Sequence, residues 1–113
     1  MKKSILNFIL AVFLGASSMI VCAEIAVLSS AESITKTISN VENALVEVNK
    51  GDFSNANQQI RAARASAEHI TGDKAIIKLA NDSVKEGQAH SKAGNAAEAA
   101  KSLNESIKLY KSL

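Results

Sequence analysis

The sequence predicts an all-α protein, an antiparallel up-down-up-down four-helix bundle built from two helical hairpins. Apolar residues recur at steps of three and four in four segments, which is the period of an amphipathic helix. Glycine followed by Asp or Asn separates these segments, a pairing typical of a helix end followed directly by a helix start. Hydrophobic residues make up 47% of the chain, yet aromatic residues make up 4%, and Pro and Trp are absent. This composition favours helices over a β-sandwich.

The N-terminal residues have the features of a secretory signal peptide. Lys2 and Lys3 form a basic start, and the apolar stretch ILNFILAVFLGASSMIV follows at residues 5–21. Val21 and Ala23 then supply small or medium-sized side chains before a cleavage point. We therefore expect residues 1–23 to be removed as a signal peptide, leaving residues 24–113 as one bundle domain that is periplasmic or secreted. A retained membrane anchor and a lipoprotein attached through Cys22 stay open as alternatives.

Removal of this segment changes the chemistry of the chain. The single Cys is lost, so the mature protein forms no disulfide and has no thiol ligand. Without Lys2 and Lys3, the remaining chain carries equal numbers of basic and acidic residues. These charges are interspersed, with no basic stripe and no aromatic platform for base stacking. We therefore expect no nucleic-acid partner.

Each of the four segments places its apolar residues on one helical face, and we predict that these faces form the core. The predicted core residues are Ile34, Ile38, Val41, Leu45 and Val48 in the first segment, Phe53, Ala56, Ile60, Ala63, Ala67 and Ile70 in the second, Ile77, Ala80 and Val84 in the third, and Ala96, Ala99, Leu103, Ile107, Tyr110 and Leu113 in the fourth. In the third segment the stripe continues through Gly87 and Ser91. Such small residues either let helices approach closely or leave a shallow groove, so a protein partner or a weak homodimer stays open.

Glycine marks all three predicted breaks. They are Gly51-Asp52, Gly72-Asp73 and Gly94-Asn95. Glycine ends a helix in the left-handed conformation at low steric cost. The Asp or Asn that follows accepts hydrogen bonds from the first N–H groups of the next helix. Because each break spans about two residues, consecutive helices are predicted to run antiparallel.

An internal repeat relates the two halves, because the first and third breaks are offset by 43 residues. At this offset Val41 matches Val84, and Ile60 matches Leu103. Each half is therefore predicted to be one helix–turn–helix hairpin. Since a single amphipathic hairpin cannot bury its own apolar stripe, two hairpins packed face to face complete the bundle.

Two stretches carry a resemblance to a known family: ALVEVNKGDFSNANQQIRAARASAEHI at residues 44–70 and SVKEGQAHSKAGNAAEAAKSLNESIKL at residues 83–109. In pattern, length and predicted secretion, the chain resembles the small metal-binding protein family of periplasmic four-helix bundles. The resemblance implies weak buffering or carriage of a divalent transition metal (Cu, Ni or Zn) through histidine. It matches His90 to a family histidine four residues before the turn glycine. Glu47 stands at the equivalent place in the first hairpin, and Asp52 where the family often has a histidine after the turn.

The predicted topology gathers metal-binding side chains at one end of the bundle. His69 and His90 belong to opposite ends, roughly 20 Å or more apart at ~1.5 Å per helical residue, so they cannot share an ion within one chain. The candidate metal ligands at the end with the glycine turns are His90, Glu86, Glu47, Asp52 and Glu98. One imidazole with two or three carboxylates suits a weak Zn(II) or Cu(II) site. His69, near Glu68 and Asp73, is a second candidate, and a solvated acidic surface without an ion stays open for both.

Catalytic signatures are missing from the sequence. There is no Glu-x-x-His pair of the di-iron bundles, no Cys/His or Ser/His/Asp arrangement and no phosphate-binding glycine loop. We therefore expect that the protein is not an enzyme. The spacing of Gly87, His90, Gly94, Ala99 and Leu103 also resembles that of a tetratricopeptide repeat. The alternative function is thus a helical interaction module that binds another protein without metal.

The first testable prediction concerns processing. Export should yield a mature chain that begins at Glu24, because cleavage follows Ala23. Mass spectrometry of the exported protein measures this directly. A lipid-modified Cys22, or an uncleaved chain in the membrane fraction, would contradict the prediction.

Overall fold

The computed structural model describes residues 29–113, which form four α-helices and contain no strand. We name the helices α1 (Ser30–Lys50), α2 (Phe53–Ala67), α3 (Lys74–Lys92) and α4 (Ala96–Lys111). The predicted all-α class and the four predicted helical segments are confirmed. The predicted signal peptide at residues 1–23 lies outside the described residues.

The two hairpin turns are built in the same way. Gly51 and Gly94 have positive φ angles of 82° and 79°, the left-handed region that glycine adopts without strain. After each glycine, the next N–H returns to a carbonyl of the preceding helix: Asp52 to Glu47 at 2.9 Å, and Asn95 to His90 at 2.8 Å. This Schellman arrangement satisfies carbonyls that a helix end leaves unpaired. Because the next helix starts at once, α2 runs back along α1, and α4 runs back along α3.

The connection between the hairpins is longer than predicted. α2 ends at Ala67, and the six residues Glu68–Asp73 separate it from α3. Gly72 therefore does not end α2. It has a φ angle of 141° and stands directly before Asp73, the residue that caps the start of α3.

Hydrogen bonds hold this connector at the end of the bundle where α1 begins. The N–H of Ile70 donates to the carbonyl of Ala67 at 3.1 Å, so the chain first continues as a tight turn. The Ser30 hydroxyl then donates to the carbonyl of Thr71 at 3.0 Å and accepts from the N–H of Thr71 at 2.9 Å. These bonds place the start of α3 beside the start of α1.

Side-chain caps define the starts of α1, α2 and α3. Ser29 accepts the N–H of Glu32 at 3.1 Å, Asp52 accepts the N–H of Asn55 at 3.1 Å, and Asp73 accepts the N–H groups of Ala75 and Ile76 at 3.0 and 3.3 Å. The start of α4 differs, because the side chain of its N-cap, Asn95, makes no capping hydrogen bond. There the backbone turn at Gly94 defines the helix start without a side-chain cap.

The four helices close into a ring in which each packs on two neighbours. Contacts are most extensive within the hairpins, α1 on α2 and α3 on α4, and the hairpins meet through α1 on α4 and α2 on α3. One hydrogen bond also links the hairpins, since Arg64 Nη1 on α2 donates to Gln88 Oε1 on α3 at 2.6 Å. This ring is the predicted four-helix bundle.

The core follows the predicted stripes on α2, α3 and α4, but the buried face of α1 is rotated. Its buried residues are Ser33, Thr37, Val41, Ala44 and Val48, whereas Ile34, Ile38 and Leu45 are half-buried at the edge. α1 packs between α2 and α4, so its most buried line falls where both neighbours meet it. Small residues occupy that line, and the larger apolar side chains pack along its flank.

Polar groups make up part of this core. The hydroxyls of Ser33, Thr37 and Ser91 are buried and have no hydrogen-bond partner among the described residues. An unsatisfied buried polar group costs ~1–3 kcal/mol, so the bundle is less stable than a fully apolar core of this size. Tyr110 is better satisfied, because its hydroxyl donates to Asn81 Oδ1 at 2.5 Å. Burial raises the pKa of Tyr110 to about 12.

Gly87 brings α3 and α4 together at the centre of the second hairpin. A Cβ atom at this position would lie 2.6 Å from Leu103 Cδ2 and 2.8 Å from Leu103 Cγ. Leu103 is fully buried, so its side chain has little room to move away. The sequence leaves two roles open for Gly87, which are close helix packing and a shallow groove. The structure shows close helix packing at this position.

Ile60→Asp is expected to unfold the bundle. Ile60 is fully buried on α2, and the substitution places an unpaired charge in the core, where no partner offsets its desolvation. Circular dichroism and thermal melting measure the loss of helix. Gln58→Asp introduces the same residue at an exposed position of α2 and should leave the melting temperature nearly unchanged. An unaltered melting temperature for Ile60→Asp would disprove the assigned core.

Gly87→Ala should destabilise the protein by about 1–2 kcal/mol, although alanine is the better helix former by about 1 kcal/mol. The cause is the overlap with Leu103, so the sign should reverse in a Leu103→Ala background, where the added methyl has space. Chemical denaturation of the four proteins of this cycle measures the coupling. A Gly87→Ala protein more stable than the wild type would show that α3 and α4 are not in close contact here.

Candidate functional site

An open groove runs along the outer face of the α3–α4 hairpin. It has a volume of about 440 Å³ and carries a concentration of ionisable side chains. The lining residues are Ser83, Glu86, Ala89 and His90 from α3, and Glu98, Lys101, Ser102 and Glu105 from α4. One imidazole and three carboxylates therefore share a single surface depression, with one ammonium group beside them.

The backbone of His90 is fixed by the glycine turn. Its carbonyl accepts the N–H of Asn95 at 2.8 Å and that of Ala93 at 3.2 Å, so the last turn of α3 is held in place. The side chain of His90 is half-buried and lines the groove. Glu86 lies one helical turn earlier on α3, which brings its carboxylate to the same face.

The groove wall on α4 follows from helical spacing. Glu98, Lys101, Ser102 and Glu105 recur at steps of three and four, so they share one face of the helix. Glu98 is among the ligands that the sequence predicts, whereas Glu105 and Lys101 are not. The spacing of these residues on α4 indicates from sequence alone that they share one helical face. Which face of α4 borders α3, however, depends on the close approach at Gly87.

The carboxylates of this groove have no cationic partner. The ion pairs in residues 29–113 are Lys50–Glu47 at 4.0 Å and Lys78–Asp82 at 3.1 Å, and neither involves Glu86, Glu98 or Glu105. Glu86, Glu98 and Glu105 are exposed, so water solvates their charges. These side chains can rotate at low cost, because no contact with a counter-charge holds them.

The other predicted ligands of this end do not line the groove. Glu47 is on α1 and lies 4.0 Å from Lys50. Asp52 caps α2, where its carboxylate accepts from the N–H of Asn55 at 3.1 Å and from the side-chain amide of Asn55 at 2.7 Å. The structure thus brings together Glu86, His90 and Glu98 and leaves Glu47 and Asp52 on the other hairpin.

His69 lies in a second groove, of about 430 Å³, between α1 and α2. The lining residues are Ser33, Lys36, Asn40, Ala62, Ala65, Ser66 and His69. None of them is a carboxylate, so Glu68 and Asp73 do not join His69 there. Glu68 instead lines a cleft between α2 and α3 with Arg64, Asn81 and Lys85.

Within residues 29–113, no three His, Cys, Asp or Glu side chains lie close enough to one another to hold one metal ion. The α3–α4 groove therefore has the donor types of a transition-metal site, imidazole nitrogen and carboxylate oxygen, without a closed coordination shell. Ligation in this groove requires rotation of the exposed side chains towards the ion.

Comparison with known proteins gives no family for this chain. No protein-family model matches the sequence. A search of curated proteins finds no significant match either.

None of the helices formed by residues 29–113 combines the length and the apolar character that a membrane crossing requires.

Proposed function

We propose that this protein is a small exported binding protein, not an enzyme, that takes up a divalent transition-metal ion weakly in the groove between α3 and α4. The observation that carries the proposal is that His90, Glu86, Glu98 and Glu105 line one open groove. Neutral imidazole with carboxylates is a donor set that Zn(II), Ni(II) and Cu(II) accept.

The expected affinity is low for two reasons. The carboxylates are solvated and mobile, so binding must order several side chains at the cost of rotamer entropy. Lys101 also lines the groove, and its positive charge repels a cation. Weak, readily reversible binding suits a buffer or carrier better than a structural site.

Two features of the sequence add support. The resemblance to the small metal-binding protein family covers residues 44–70 and 83–109 and assigns His90 to a histidine position of that family. The signal-peptide features of residues 1–23 support action in the periplasm or the medium.

The test is calorimetric titration of residues 24–113, without a histidine tag, with Zn(II), Ni(II) and Cu(II). We expect one weak site. His90→Ala should weaken binding roughly tenfold or more, as for the loss of a ligand or its support. His69→Ala should leave the affinity unchanged, because His69 lies in the other groove.

Charge variants sharpen the experiment. Glu98→Gln should weaken binding, whereas Glu42→Gln removes the same charge from an exposed position on α1 and should have no effect. Lys101→Gln should strengthen binding, because it removes the competing cation from the groove. Equal affinity of the wild type and His90→Ala would reject this groove as the site, and a wild type that binds none of the three ions would reject the metal function.

The second candidate is a helical interaction module. Val46 on α1 and Leu79 on α3 are large apolar side chains that are 50% and 56% exposed. Exposed apolar side chains contribute to protein interfaces, although single ones are common on any surface. This function gains support if metal titration gives no heat while Leu79→Ser abolishes binding to a periplasmic protein.

A further inference from the structure

We infer that the groove between α1 and α2 is a binding site for a small oxyanion. Its charged and titratable lining groups are Lys36 and His69, and its other polar groups are the amide of Asn40 and the hydroxyls of Ser33 and Ser66. A surface depression that offers ammonium, imidazole, amide and hydroxyl donors without a carboxylate is complementary to an anion.

The two cationic candidates have no competing partner. No ion pair formed in residues 29–113 includes Lys36 or His69, and both side chains are exposed. Glu68 lines the cleft between α2 and α3, whereas Glu32 shares a neighbouring shallow groove with Lys36 but forms no ion pair with it in residues 29–113. The positive charge of Lys36 is therefore available to a ligand.

An independent observation comes from Ser33 at the wall of this groove. Ser33 is 1% exposed, and its hydroxyl has no hydrogen-bond partner among the described residues. The hydroxyls of Thr37 and Ser91 are also unpaired, and Ser33 in addition lines this groove, where a ligand can reach it. A ligand oxygen bound in the groove would supply a partner for this hydroxyl.

Of the remaining polar groups, Asn40 can contribute without breaking a strong bond, whereas the Ser66 O–H is already engaged. The Asn40 amide donates to Ser66 Oγ over a long distance of 3.4 Å, and its second N–H is not engaged in this contact. The Ser66 hydroxyl donates to the carbonyl of Ala62 at 2.9 Å, which fixes the α2 side of the groove. Asn40 is therefore the amide donor best placed to turn towards an anion.

The inference does not depend on the proposed metal function, since the two grooves share no residue. It adds a second ligand class on the opposite hairpin. The protein would then take a cation on α3–α4 and an anion on α1–α2.

The experiment is a titration of ¹⁵N-labelled residues 24–113 with sodium sulfate, followed by amide shifts at constant ionic strength set with sodium chloride. Sulfate keeps its charge over the working pH range, so changes report on the protein. We expect saturable shifts centred on Lys36, Asn40, Ser66 and His69. A parallel titration with acetate distinguishes a carboxylate ligand from a tetrahedral one.

Lys36→Gln and His69→Gln should each weaken sulfate binding by about threefold or more, because each removes a donor or charge from the groove. Lys92→Gln is the matched control: it removes one exposed positive charge from the far end of α3 and should leave sulfate affinity unchanged. Ser33→Ala should keep the fold and weaken binding.

The two proposals fail separately. Saturable sulfate binding in a protein that binds no metal supports the anion site and rejects the metal function. Shifts that do not saturate, that spread equally over all lysines, or that give the same sulfate affinity in Lys36→Gln as in the wild type overturn the anion site whatever the metal titration gives.

Discussion

The left-handed glycines at positions 51 and 94 let one helix end and the next begin within two residues. In each turn the N–H after the glycine bonds to a carbonyl in the last turn of the preceding helix, so the direction of the returning helix is fixed by the backbone itself. Everything else in the bundle follows from these reversals. They set the antiparallel hairpins, the register of their apolar faces, and the outer grooves in which ionisable side chains of two helices meet.

The helices can pack closely because small residues lie in the contacts between them. Gly87 meets Leu103 without space for a methyl group, and alanines such as Ala56, Ala63 and Ala80 fill much of the remaining core. Close approach brings the helix backbones into van der Waals contact. Small side chains, however, bury little apolar area per residue, so the hydrophobic stabilisation per residue is small. The unpaired hydroxyls of the core add a further cost. We therefore expect modest stability for a bundle built in this way.

The sequence was sufficient for much of the fold because its signals are local. Helical periodicity, the glycines at positions 51 and 94 and the Asp caps each act within a few residues, and the structure agrees with them. The rotated face of α1 and the six-residue connector could not be predicted, since they depend on how the hairpins meet. The end of α2 at Ala67, for example, is stabilised by the contact of Thr71 with Ser30, 41 residues away in sequence. Of the candidate metal ligands, His90, Glu86 and Glu98 share a groove, while Glu47 and Asp52 took local roles with Lys50 and Asn55.

The internal repeat shows at which positions the outer grooves of the two hairpins differ in charge. At the offset of 43 residues, the three glutamates of the α3–α4 groove, at positions 86, 98 and 105, correspond to Asn43, Asn55 and Ala62. Conversely, Lys36 and His69 of the α1–α2 groove correspond to Leu79 and Ser112. The charges thus differ at outward-facing positions that the core does not constrain, while the core positions Val41 and Val84 are the same. If both proposals hold, two hairpins with matching core positions would offer one groove to a cation and the other to an anion. The ligand preference of each groove would then depend on outward-facing side chains that the core does not constrain.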